Sequence, residues 1–109
     1  MKLLLDENLP KKLKGDFKEY SVYTVSDKSW NGKKNGELLQ LMIEDRFDVL
    51  LSFDKNLQHQ QNFNKYPITV FLLNAEDNTY LTLQKSVLQV KELLRLPLKN
   101  GVTEIKQII

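Results

Sequence analysis

Met1-Lys-Leu-Leu-Leu-Asp-Glu-Asn-Leu-Pro10 opens the chain with an apolar run of strand length that ends abruptly in two acids, an amide and a proline. The run reads as a buried strand that delivers Asp6, and Glu7 beside it, to the carboxyl edge of a sheet. A short helix follows at once from Leu9 to about Phe17, with Pro10 in its first turn, where a missing N–H costs little. In open α/β sheets the carboxyl ends of the strands are where ligands and metals bind. Asp48-Val-Leu-Leu-Ser-Phe53 repeats the form: an apolar strand, then Asp54. Continuous apolar strands of this kind are typical of parallel sheets covered on both faces.

Working outward, Ser21-Val-Tyr-Thr-Val25 is β-branched and aromatic and reads as another strand, as does Pro67 to Leu73. Ser26 to Gly36 is a polar, glycine-containing loop that holds Trp30 with Lys28, Lys33 and Lys34. Glu37 to Arg46 has helical spacing, with Leu38, Leu41 and Met42 on one face and Leu39 and Ile43 beside them. Asn56 to Asn64 is amide-rich and reads as a turn or short helix. Asn78 or Thr79 caps a helix expected to run to about Leu96, with Leu81, Val87, Leu88, Val90 and Leu94 inward. After the break at Leu96 to Gly101, Val102 to Ile109 reads as the last strand. This alternation implies a single α/β domain over residues 1–109, in three α/β/α layers of Rossmann-like type. Its sheet should have about five strands, mainly parallel, joined by right-handed crossovers.

Composition excludes more than it selects. A chain of 109 residues has room for one core. It contains no cysteine, which removes disulfides, thiolate zinc sites and thiol catalysis. The opening apolar run is too short for a secretory signal and no segment is long enough to span a membrane, so a cytoplasmic protein is expected. A net charge of +2 does not by itself mark a nucleic-acid binder, because charge drives such binding only when concentrated on one face.

Aspartates at two strand ends suggest a hard cation, since carboxylate oxygens suit Mg²⁺ or Mn²⁺. Glu37 is the natural third acid, opening a helix directly after a loop able to fold over the same edge. Each acid alone reads equally well as a helix N-cap or a first-turn acid favourable to the helix dipole. Their joint occurrence at matching strand ends favours metal. Lys33, Lys34, Lys55 and Lys11 are candidate phosphate contacts. Trp30 is read first as packing on the body of the domain and second as a base-stacking residue. His59, the one histidine, has no serine partner and reads as a surface residue. The amides Gln58, Gln61 and Asn62 line a groove or satisfy local backbone.

Leu4-Leu-Asp-Glu-Asn-Leu-Pro10, then Asn35-Gly-Glu-Leu-Leu39, then Asp48-Val-Leu-Leu-Ser-Phe-Asp-Lys-Asn-Leu57 resembles the small PIN-like proteins grouped as the DUF5615 family. These are relatives of PIN-domain toxins of toxin–antitoxin systems and of the Mut7-C RNase domain. The likeness runs from Met1 through about Leu96. It implies a PIN-like fold whose acids bind Mg²⁺ or Mn²⁺ and cleave RNA. Asp6 matches the first-strand acid, Asp54 the acid after the third strand, and Glu37 the acid opening the intervening helix. The chain departs from the pattern at Asn56, where many relatives carry a further aspartate. An amide adds no negative charge, so Asn56 and Glu7 stand as reserve ligands.

The resemblance further implies an antitoxin protein as partner and a homodimer, for which the surplus apolar edge of the Thr79–Leu96 helix is available. Asn56 keeps open a rival, a weak or inactive module that binds RNA or a protein. A phosphate-receiving response-regulator-like domain also places acids at strand ends. It needs a lysine ending a later strand, and Pro67 to Asn74 ends in asparagine.

Overall fold

The computed structural model describes residues 1–60 and 62–106, excepting the side chains of residues 59 and 60. Parallel pairing builds one sheet from β1 (Lys2–Leu5), β2 (Ser21–Thr24), β3 (Val49–Ser52), β4 (Thr69–Asn74) and β5 (Gly101–Lys106), in the order β2-β1-β3-β4-β5. The expected α/β architecture with a five-strand parallel sheet is therefore present. The readings of His59 and Gln61, and the last positions of the final strand, lie outside the described residues.

Strand alternation sends side chains to opposite faces, and each face has its own core. Leu3, Leu5, Val49, Leu51, Phe71 and Leu73 point to one side, where they meet Leu13 and Phe17 of a 3-10 helix (Lys11–Phe17). Leu83, Val90 and Leu94, of α3 (Tyr80–Gln84) and α4 (Val87–Leu94), complete that side. Leu4, Leu50 and Val70 point to the other, against Leu38, Leu39 and Met42 of α1 (Asn35–Glu44) and Leu57 of α2 (Leu57–Gln60). The middle strands are buried over nearly their whole length, β3 at every residue and β1 and β4 at all but an end residue, which is why they carry no polar alternation. Among the described residues no helix is long and apolar enough to cross a membrane.

Three expectations are corrected. The single helix from Thr79 to Leu96 is two, separated at Lys85-Ser86, where the buried Ser86 donates its N–H to the Leu83 carbonyl. Its inward face differs in part. Val87, Val90 and Leu94 turn to the core as expected and extend Leu83 in an i, i+4, i+7, i+11 spacing, while Leu81 and Leu88 are 74% and 67% exposed. The segment has apolar residues on two faces, and the stripe with the longer run won.

Third, the crossovers do not share one hand. The β3–β4 connection packs α2 on the α1 side, whereas the β4–β5 connection packs α3 and α4 on the side of the 3-10 helix, and both step in the same direction across the sheet. They are therefore of opposite hand, against a strong general preference for right-handed crossovers. The cause is coverage: seven residues of 3-10 helix cannot cover one whole face of the sheet, and α3 and α4 complete it.

Truncations should separate the two sides of the last helices. Leu83→Ala and Leu50→Ala, both fully buried, are expected to cost about 2–5 kcal/mol in urea unfolding. Leu81→Ala and Leu88→Ala should each change stability by less than about 0.5 kcal/mol.

Candidate functional site

The sheet order changes direction at β1 and β3, the strands from which the chain leaves to opposite sides. The crevice beyond their carboxyl ends is the ligand position this topology favours. Asp6 follows β1 directly and continues its ladder, its N–H donating to the Leu51 carbonyl at 2.9 Å. Asp54 stands two residues past the end of β3. Ser52 joins them: its hydroxyl donates to Asp6 Oδ2 at 2.7 Å, and its Oγ accepts the Asp54 N–H at 3.0 Å. Asp6 Oδ1 takes the Glu7 N–H at 2.9 Å. On Asp54, Oδ2 accepts from Asn35 Nδ2 at 3.0 Å and Oδ1 from the Asn56 N–H at 2.9 Å.

Asp6 is only 7% exposed. Burial holds its carboxyl above the ordinary aspartate range, the Ser52 hydroxyl and Glu7 amide pull it back, and the charges of Asp54 and Glu7 push it up again. Among the described residues no lysine or arginine forms an ion pair with Asp6 or Asp54. Two carboxylates thus share one cleft, one of them nearly dry, with hydrogen bonds but no counter-charge from the described residues.

They lie in a cleft of about 810 Å³ whose lining also includes Glu7, Glu37, Lys33, Lys34 and Tyr66. Glu7 accepts the Gly32 N–H at 3.2 Å and so ties the loop before α1 to the end of β1. Gly32 has φ of 77°, a conformation glycine supplies without strain. Asn8 Oδ1 accepts the Phe53 N–H at 3.2 Å, clasping the ends of β1 and β3. The acidic segment therefore divides its labour: Asp6 to the cleft floor, Glu7 to the loop, Asn8 to β3.

Of the acids expected to meet, Asp6 and Asp54 line one cleft and are linked through Ser52. Glu37 lines the cleft from an exposed position in the first turn of α1. Among the described residues no three acids or histidines stand within common reach of one ion. Lys33 and Lys34 reach the cleft, while Lys11 and Lys55 are exposed and do not line it. Asn56 contributes its backbone to Asp54 and does not line the cleft with its side chain. Trp30 packs on the body, edge-to-face with Phe47 at 5.7 Å, and Lys28 pairs with Asp45.

Ser52, Asn35, Asn8 and Tyr66 escaped the sequence reading. The one available signal was Ser52, a polar residue at the end of an apolar strand two positions before Asp54.

The donor set is all hard oxygen. Each carboxylate oxygen of Asp6 and Asp54 accepts one hydrogen bond from the chain, and a carboxylate oxygen has room for a second partner. Two carboxylates with water completing the shell is the habitual protein contribution to a Mg²⁺ site. The residues fit such an ion as a two-carboxylate site, not as a three-acid cage. No family model, no curated protein and no solved structure matches the chain.

Because folded Asp6 holds its proton more tightly than the unfolded chain does, its ionisation opposes folding as pH rises through the window above 3.8. Asp6→Asn is therefore expected to raise the melting temperature at neutral pH by a few degrees, the gain shrinking as pH falls toward that value. Ser52→Ala should do the reverse, costing about 1–3 kcal/mol by stripping a buried carboxylate of its donor. That cost should be smaller in the Asp6→Asn background, as a double-mutant cycle would measure.

Proposed function

We propose that this chain is a metal-dependent ribonuclease of PIN-like type, acting through the Asp6–Asp54 pair on an RNA phosphodiester. The observation that carries the reading is the pair itself: two adjacent carboxylates at the β1–β3 crevice, one nearly buried, neither neutralised by a cation of the described residues. Carrying a buried acid whose carboxyl is held above its ordinary range costs stability, and acids so placed in clefts are characteristic of functional sites.

Asp6 and Asp54 would hold Mg²⁺ or Mn²⁺, with Glu7 and Glu37 at hand on the cleft wall. When bound, the ion supplies a Lewis acid that lowers the pKa of water and offsets charge on the scissile phosphate. The protein does the rest by position. Ser52 and the Glu7 amide fix the Asp6 carboxylate, and Asn35 fixes that of Asp54. Lys33 and Lys34 meet the phosphate backbone at the cleft wall. A water oxygen attacks phosphorus while a carboxylate of the cleft takes the water's proton, the bond to the leaving ribose oxygen breaks, and that oxygen picks up a proton from solvent water.

The toxin role, with an antitoxin as partner, rests on the sequence resemblance alone. A weaker or inactive RNA- or protein-binding module is the rival, favoured by the absence of a third acid within reach of the pair among the described residues. A phosphate-receiving domain gains less. The strand order is shared with such domains, and Lys106 is the last described residue of β5. Its ammonium, however, stands 3.7 Å from Glu104 and does not line the cleft.

Calorimetric titration with Mn²⁺ and cleavage of a labelled RNA decide between the readings. The nuclease should bind Mn²⁺, more weakly as pH falls and Asp6 takes up its proton. Asp6→Asn and Asp54→Asn should each reduce cleavage by on the order of a hundredfold or more. Absent Mn²⁺ binding, or cleavage that survives both substitutions, sinks the proposal.

A further inference from the structure

The cleft does not end at the acid pair. Its wall of Lys33, Gly36, Glu37 and Tyr66 is shared with a second depression of about 390 Å³, which runs along the exposed face of α1 to Glu44 and Lys65. Tyr66 stands at the junction. It is half-buried against the core on the α1 side, and its backbone is fixed by its own N–H to the Asn62 carbonyl and by the Ile68 N–H to its carbonyl at 2.7 Å. The ring is thus a held aromatic surface, not a free one. Lys65 Nζ lies over the ring, 5.3 Å from its centroid, so a base stacking there takes the place of a mobile surface ammonium. Lys33 comes to the same junction from the opposite side, on the loop that Glu7 ties down through Gly32.

An aromatic face flanked by two lysines, continuous with a phosphodiester-cleaving pair, has the chemistry of a strand-binding track. Base–aromatic stacking is available to every base, and lysines beside it neutralise the backbone. We propose that the two depressions form one track for single-stranded nucleic acid, with a base stacked on Tyr66 in place of the Lys65 ammonium, which swings from the ring to a neighbouring phosphate, and Lys33 meeting the next. This rests on the reading of Asp6 and Asp54 as acting on a phosphodiester. Glu37 and Glu44, on the α1 side, repel phosphate and keep the backbone on the lysine side. A duplex is a poor fit: its bases are already stacked on one another and present no face to Tyr66.

Binding is measured by fluorescence anisotropy of a short labelled oligouridylate with EDTA present, so that cleavage plays no part. The same strand annealed to its complement and an oligothymidylate serve as comparison probes. Tyr66→Leu keeps apolar packing and removes the aromatic face; it is expected to weaken single-strand binding about fivefold or more. Tyr66→Phe should restore affinity to within about twofold, since the ring face remains. Lys65→Ala, a surface change that leaves the fold intact, should lower the salt dependence by about 0.7 in slope. Lys106→Ala, which removes the same charge far from the track, should not.

The track is overturned if Tyr66→Leu binds as the parent does, if the duplex binds as tightly as the single strand, or if Lys106→Ala matches Lys65→Ala. Oligothymidylate binding like oligouridylate supports stacking without sugar recognition, and RNA bound better adds selection for the ribose. Binding that follows Tyr66 without Mn²⁺-dependent cleavage removes the nuclease and leaves the track. Cleavage that needs Asp6 and Asp54 while binding ignores Tyr66 does the opposite.

Discussion

A carboxylate held almost out of water beside another carboxylate is the constraint around which this fold is arranged. Asp6 is at the end of a strand with neighbours on both sides, so it cannot swing into solvent without breaking the ladder that places it. Its charge is tolerated through hydrogen bonds from Ser52 and the Glu7 amide, with no cation of the described residues to balance it. Hydrogen bonds soften the desolvation of a buried charge without removing the repulsion from Asp54. The rest of the site follows: a serine at the end of β3, an asparagine on α1 steadying Asp54, and a cleft open on the side from which a cation can arrive.

Much of this was legible in sequence. The strands stood out because the central ones are covered on both faces and so are continuously apolar. Asp6 and Asp54 stood out because the same acid recurs at the ends of two such runs, although each alone reads equally well as a helix cap. What stayed hidden depends on distance in three dimensions. Ser52 looks like a small residue in a strand until β1 is placed beside β3. Tyr66 looks like one more aromatic in a polar loop until α1 supplies the other wall of a groove. Glu37 was legible as an acid near the site, but its spacing could not say that the carboxylate stays at the rim.

The helical side was read less well, for a related reason. Leu81 and Leu88 share one periodic stripe, Leu83 and Val90 another, and a single segment does not reveal which will find the sheet. The choice depends on how much of the sheet the short 3-10 helix leaves bare. The same shortage explains the reversed hand of the last crossover: burial of one open face outweighed a preference that ordinarily governs β-α-β units.

The Ser52–Asp6 hydrogen bond spans 46 residues of chain. Asn8 reaches the Phe53 amide over 45, and its own carbonyl receives Asn78 over 70. The groups that hold Asp6 and Asp54 are drawn from residues 6 to 56, and they come together only when β1 and β3 have joined. A chain that has not yet emerged as far as β3 carries Asp6 without the Ser52 hydroxyl that steadies it.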